Sequence, residues 1–328
     1  MRFFLCLLVA LFLCTACAES PTESAPEALP DGFLDEDGGQ APEPDGEGQG
    51  PEAAAPDMSP EATPDVVEPE PAPGPELPEY SGGVCPSLDA GRNNLQVLDR
   101  GRDFDLYLPP EPEGAPVLII WHWLGGSAAA AGNAFGAQQI ADTRGWIVVV
   151  PESCCSSQTE WGYPPATQAT EQDLTLFDDL LACVGGQYQI DRRRIYITGF
   201  SAGSLWSSYL VLQRSEYLAG AAIFSGGLFA GYQSPVNRLP VLLVDGGPTD
   251  VYGGAVNFHT MTQSLSDNLT GDGHFVVHCV HTLGHRLPVG ATAWGLDFLE
   301  DHTFAQEGSP LEGADLGAAG YPAYCEIP

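Results

Sequence analysis

Lysine is absent from this chain: all eleven basic side chains are arginines, set against 44 Asp and Glu for a formal charge of −33 over 328 residues. A surface without a basic stripe displaces no counterions from a phosphate backbone, so composition argues against nucleic acid as a partner and against anionic headgroups. Long apolar runs are also missing. The run from Phe3 to Leu13 falls well short of the roughly 20 residues a bilayer-spanning helix needs. Within residues 81–328 no two cysteines have a CxxC spacing, so nothing in the cysteine pattern asks for a metal.

What is present is unevenly spread. Residues 18–80 hold 18 of the 44 acids and 14 of the 29 prolines, with no arginine. So acidic a stretch, so poor in large apolar side chains, cannot bury enough surface to offset its ordering entropy and reads as a disordered linker. Residues 81–328 are the foldable part. They retain 26 acids against 10 arginines, a balance of 26 − 10 = 16 negative charges, which favours solubility.

The N-terminus pairs Arg2 with the Phe3 to Leu13 run, the shape of an export signal over residues 1–17. Cys14-Thr15-Ala16-Cys17 is similar to a bacterial lipobox, which makes Cys17 the expected lipid attachment point; Ala16-Cys17-Ala18 also fits ordinary signal cleavage and free secretion. A lipid on Cys17 would be the only link to a membrane, at the cell envelope, with the proline-rich stretch as a stalk. Export agrees with the six remaining cysteines, Cys85, Cys154, Cys155, Cys183, Cys279 and Cys325, read as three disulfides. The expected pairings join Cys154 or Cys155 to Cys183, and Cys85 to Cys325.

From residue 96 short apolar runs alternate with longer amphipathic stretches, the pattern of βα units around a mostly parallel sheet flanked by helices. Strands are expected at 104–108, 117–121, 146–150, 194–198, 221–224, 241–244 and 275–280, and helices at 128–143, 168–184, 202–213, 256–268 and 291–303. Only about 16 residues separate Phe224 from Val241, too few for a large helical lid.

Gly199-Phe200-Ser201-Ala202-Gly203 follows an apolar strand and opens a helix. That context places a serine on a sharp strand-to-helix turn, its hydroxyl above the strand ends and a helix N-terminus behind it. A hydroxyl attacks only when a base takes its proton, and the base needs a carboxylate to orient it. In the order Ser, acid, His, the candidates are Ser201, Asp250 and His285, with Asp245 an alternative acid nearer its strand end. Ala202 and Leu124 are the expected backbone donors to an oxyanion, Leu124 lying in the loop His122-Trp123-Leu124-Gly125-Gly126-Ser127. Trp161 and Tyr163 could offer an aromatic platform to a substrate or could simply pack their loop. His122 is read as a brace for the oxyanion loop, His278 and His281 as structural, and His259, His274 and His302 as surface residues.

These motifs, with Ile190 to Gly203 and Gly284-His285-Arg286-Leu287-Pro288, resemble the α/β-hydrolase superfamily, and within it serine esterases of the polyhydroxybutyrate depolymerase and feruloyl esterase type. The resemblance spans roughly residues 100–302. It implies a single α/β-hydrolase domain and carboxylic ester hydrolysis through an acyl-enzyme on Ser201, with no cofactor and a small or polymeric ester as substrate. Trp123 stands where that family usually places glycine, a departure that either narrows the acyl site, with Trp123 lining it, or shifts the oxyanion donor by one residue. A binding scaffold without turnover, and a serine peptidase on the same fold, are the alternatives.

Overall fold

The computed structural model describes residues 73–154, 160–164 and 167–328. The export signal, Cys17 and residues 18–72 of the linker lie outside the described residues, as does Cys155. Residues 73–80, assigned to the linker from composition, instead run along the domain: Leu77 and Tyr80 pack against its core, and the Tyr80 hydroxyl donates to the Gln96 carbonyl (3.0 Å). Two apolar side chains suffice to dock a proline-rich segment that charge alone would leave in solvent.

In chain order the strands are β1 Gly91–Val97, β2 Arg100–Tyr107, β3 Val117–Trp121, β4 Ile147–Pro151, β5 Ile195–Phe200, β6 Gly220–Phe224, β7 Val241–Asp245, β8 Val251–Tyr252, β9 Val256–Asn257, β10 Val276–Val280 and β11 Cys325–Glu326. The helices are α1 Ala128–Phe135, α2 Ala137–Arg144, α3 Thr167–Tyr188, α4 Ala202–Gln213, α5 Phe258–Gly271 and α6 Ala291–Glu300. Among the described residues nine strands form one sheet in the order β1-β2-β4-β3-β5-β6-β7-β10-β11. The block from β4 to β10 is parallel, while β1, β2 and β11 are antiparallel to their neighbours.

Sequence explains these roles. Every residue of β3, β4, β6 and β7 is buried, as expected of apolar strands covered on both faces. One face packs Leu176, Phe177 and Leu180 of α3, Trp206 and Leu210 of α4, and Leu265 and Leu269 of α5. The other packs Phe135 of α1, Ile140 of α2, and Phe298 and Leu299 of α6. The expected single helix over 128–143 is two helices, because Gly136 adopts a left-handed conformation (φ 73°) that ends α1 and starts α2. Ser127 caps α1, its hydroxyl accepting from the Ala130 N–H. Between β6 and β7 no helix forms, so no lid folds over the sheet there.

The disulfides overturn both expected pairings. Cys85 bonds Cys183, tying the segment before β1 to α3, and Cys279 bonds Cys325, tying β10 to β11. Spacing gave no hint of this because the C-terminal residues turn back as a strand: Cys279 lies directly opposite Cys325 in the β10–β11 ladder.

Candidate active site

The parallel strands all end on one edge of the sheet, and the chain leaves each end through a loop that bears a polar side chain. Ser201 follows β5 with φ 56° and ψ −118°, a conformation that side-chain-bearing residues avoid and that costs about 1–3 kcal/mol. The strain is held by close packing. A Cβ on Gly203 would collide with the carbonyl oxygen of Trp121, at the end of β3. Gly203→Ala is therefore expected to push the turn away from β3 and destabilise the fold by at least about 1–3 kcal/mol; an unchanged thermal midpoint would contradict this.

Asp250 and His285 meet Ser201 from two further loops. The loops cross at Gly246 and Gly284, so closely that a Cβ on Gly246 would overlap the Gly284 carbonyl. His285 Nδ1–H donates to Asp250 Oδ1 at 2.6 Å, and His285 Nε2 lies 2.9 Å from Ser201 Oγ. A carboxylate can only accept, so it fixes the proton on Nδ1 and leaves Nε2 free to accept from the serine hydroxyl. Asp250 is fully buried. Its second oxygen accepts from the Ser225 hydroxyl and the Gly246 N–H, both at 2.8 Å. Burial alone would raise its carboxyl, but hydrogen bonds from His285, Gly246 and Ser225 outweigh it and hold the group below the usual carboxylate range.

The imidazole is also confined by rings. Phe258 stacks on it at 4.4 Å and 16°, Phe200 at 4.9 Å and 27°. Two rings at such spacing cannot share one face, so His285 lies between them. Tyr252 sits at the margin, 6.1 Å from the imidazole.

The loop after β3 is braced as expected at His122. Its Nδ1–H donates to the Trp123 carbonyl (2.9 Å) and its Nε2 accepts from the Ser153 N–H (3.1 Å). Glu160 adds a clamp, one oxygen accepting from the Gly125 N–H (3.0 Å) and the other from the Ser153 hydroxyl (2.6 Å). Among the described residues no acceptor meets the N–H groups of Leu124 and Ala202.

Several assignments change. Trp161 is 0% exposed, with its indole N–H on the His122 carbonyl (2.9 Å) and its ring edge against Trp121. It is a core residue and offers no platform. Tyr163 is also buried, and its hydroxyl donates to the Ala202 carbonyl, so it props the first turn of α4. Trp123 remains partly exposed, edge-on to Phe200. Asp245, the alternative acid, faces His259 and His278 instead of His285. His274 and His302, expected at the surface, are buried, and burial pushes both imidazoles below their ordinary pKa. Phe258, Ser225 and Glu160 were not foreseen. No local motif marks them: Phe258 and Ser225 act across more than 20 residues of sequence, and Glu160 joins Ser153, 7 residues away, to Gly125, 35 away.

No protein-family model matches the chain. It is 26% identical over 179 residues to the bifunctional acetylxylan esterase/xylanase XynS20E of Neocallimastix patriciarum, covering 53% of this chain and 26% of that protein. It is 25% identical over 120 residues to poly(3-hydroxyalkanoate) depolymerase C of Paucimonas lemoignei, covering 35% of this chain and 29% of that one. The chain thus spans under a third of either relative. Among solved structures, native pOPH superposes with a TM-score of 0.61 at 21% identity, over 74% of this chain and 97% of that chain. A central, mostly parallel sheet with helices on both faces, shared with that structure, and relatives that are esterases and depolymerases, make this an α/β-hydrolase fold.

Proposed function

We propose that the protein is an exported serine hydrolase that cleaves carboxylic esters through an acyl-enzyme. The observation that carries the reading is the unbroken chain of hydrogen bonds from Ser201 Oγ through His285 to buried Asp250. Ser201 Oγ attacks the ester carbonyl carbon while His285 Nε2 takes its proton. The oxyanion that forms is met by the N–H groups of Leu124 and Ala202, each such donor contributing about 3 kcal/mol to the transition state. Collapse of the intermediate expels the alcohol, which leaves with the proton from His285. Water, deprotonated by the same imidazole, then releases the acid and restores the serine.

The substrate follows from surroundings. The loop between β6 and β7 carries no helix, so it lays no helical lid over the site, and a domain with 16 excess negative charges favours uncharged esters over anionic ones. Trp123 beside Phe200 would border the acyl group. Acetyl esters of polysaccharides and hydroxyalkanoate polyesters fit these terms, and the names of the relatives point the same way. Export rests on the signal-like N-terminus, with Cys17 as lipid attachment point, and on two disulfides.

Incubation of the full chain with a fluorophosphonate probe tests the reading. Covalent labelling of Ser201, found by peptide mass spectrometry, is expected, together with hydrolysis of acetyl or hydroxyalkanoate chromogenic esters. Folded protein that takes no label would instead be a binding scaffold, and hydrolysis of peptide but not ester chromogens would make it a peptidase.

A further inference from the structure

Asp245 ends β7 with no exposed surface, five residues before Asp250, and its carboxylate is fully engaged elsewhere. Oδ1 accepts from His259 Nδ1–H at 2.7 Å and from the Gly247 N–H at 2.8 Å, while Oδ2 accepts from His278 Nε2–H at 2.8 Å. Each partner belongs to a different element. Gly247 begins the turn that delivers Asp250, His259 lies in the first turn of α5, and His278 lies on β10, which leads into the loop carrying His285. The same elements are joined again through backbone, the Asp245 carbonyl accepting from the His281 N–H (2.9 Å) and the Asp250 carbonyl from the Phe258 N–H (2.9 Å).

The neighbour of His259 gives this arrangement its meaning. Phe258 is one of the two rings that stack on His285, so whatever fixes the rotation of the first turn of α5 also fixes one wall against which the imidazole rests. Asn257 caps the helix by accepting from the Thr260 N–H (3.0 Å), which sets where the helix starts. His259, reaching back to Asp245, adds a side-chain tie between that start and the β7 end from which the Asp250 loop leaves, beside the backbone bond from the Phe258 N–H to the Asp250 carbonyl. Among the described residues no group of side chains could hold a metal ion, and the short N–H···O contacts close the space around the carboxylate.

We propose that Asp245, through His259 and His278, forms a second acid–histidine unit whose role is positional: one buried carboxylate holds the Asp250 turn, the Phe258 wall and the strand leading to His285 in a common frame. It touches no substrate and acts through Asp250 and His285. The inference rests on the hydrolase reading above. Its basis is that reactive groups about 1 Å out of place lose up to a hundredfold in rate.

His259 is the residue to vary, because it is partly exposed, 24% by side chain, and its replacement spares the core. His259→Leu removes the donor; His259→Asn restores an N–H close to the position of Nδ1. With p-nitrophenyl acetate, His259→Leu is expected to lower kcat about tenfold with KM changed by less than about twofold, and to slow fluorophosphonate labelling in parallel. His259→Asn is expected to recover kcat to within about threefold of wild type. A thermal midpoint measured on each variant separates misplacement from unfolding. The inference is overturned if His259→Leu matches wild type, if His259→Asn is no better than His259→Leu, or if lost activity tracks lost folded protein. Wild-type protein that neither labels nor hydrolyses the ester would bring down the hydrolase reading and this inference with it, whereas labelled wild type with an indifferent His259→Leu removes the inference alone.

Discussion

Ser201→Ala is expected to abolish ester turnover, lowering kcat by roughly 10⁴-fold or more, while the protein stays folded. Alanine keeps the Cβ, so the strained turn (φ 56°) and its packing against β3 are unchanged. What is lost is one hydroxyl and its hydrogen bond to His285. The imidazole is part-exposed, 18% by side chain, so water can take the vacated place on Nε2. For a domain of this size 1 kcal/mol corresponds to about 2–4 °C, and the thermal midpoint is expected to move by no more than that. Residual activity above about a tenth of wild type, measured on protein shown folded by circular dichroism, would place the nucleophile elsewhere.

Much of this site was legible because its parts announce themselves locally. The serine lies between glycines on a strand-to-helix turn, and the apolar runs that became β3 to β7 are too continuous to be anything but strands covered on both faces. Where the reading failed, the missing information was long-range. The strand β1, with only Leu95 and Val97 buried in the sheet, carries too few apolar residues to signal itself and forms by pairing with β2. Trp161 looked like a ligand platform because it stands beside Gly and Pro in a loop, yet the loop folds inward and spends the indole on His122. The Cys279–Cys325 disulfide depended on a C-terminal strand of two residues, below any periodicity. The choice between Asp245 and Asp250 was open in sequence because one ends β7 and the other lies in the loop just after it. In space the two differ in which histidines they meet, Asp250 meeting His285 and Asp245 meeting His259 and His278.

That division of labour between the two acids makes Asp250→Asn the sharpest probe of the site. Asp250 is buried and both its oxygens accept, whereas an asparagine must present an amide NH₂ on one side. Turned toward His285, the NH₂ forces the imidazole to accept at Nδ1 and so to carry its proton on Nε2, where it can no longer take the serine proton. Turned toward Gly246, it faces a buried backbone N–H and leaves two donors in opposition, at a cost of about 1–3 kcal/mol. The donor clash at Gly246 disfavours the second orientation and the first disables the relay, so kcat is expected to fall about 10⁴-fold. Stability carries a second signature. The folded-state carboxyl lies below its ordinary pKa, so its contribution is fully present above the unfolded value of about 3.9 and is lost as pH falls through the folded one. Asparagine has no such titration. Urea midpoints of wild type and Asp250→Asn are therefore expected to differ most at pH 5 to 7 and to converge below the ordinary carboxylate range. A gap that stays constant down to pH 3 would mean that the carboxylate is not held by the hydrogen bonds from His285, Ser225 and Gly246.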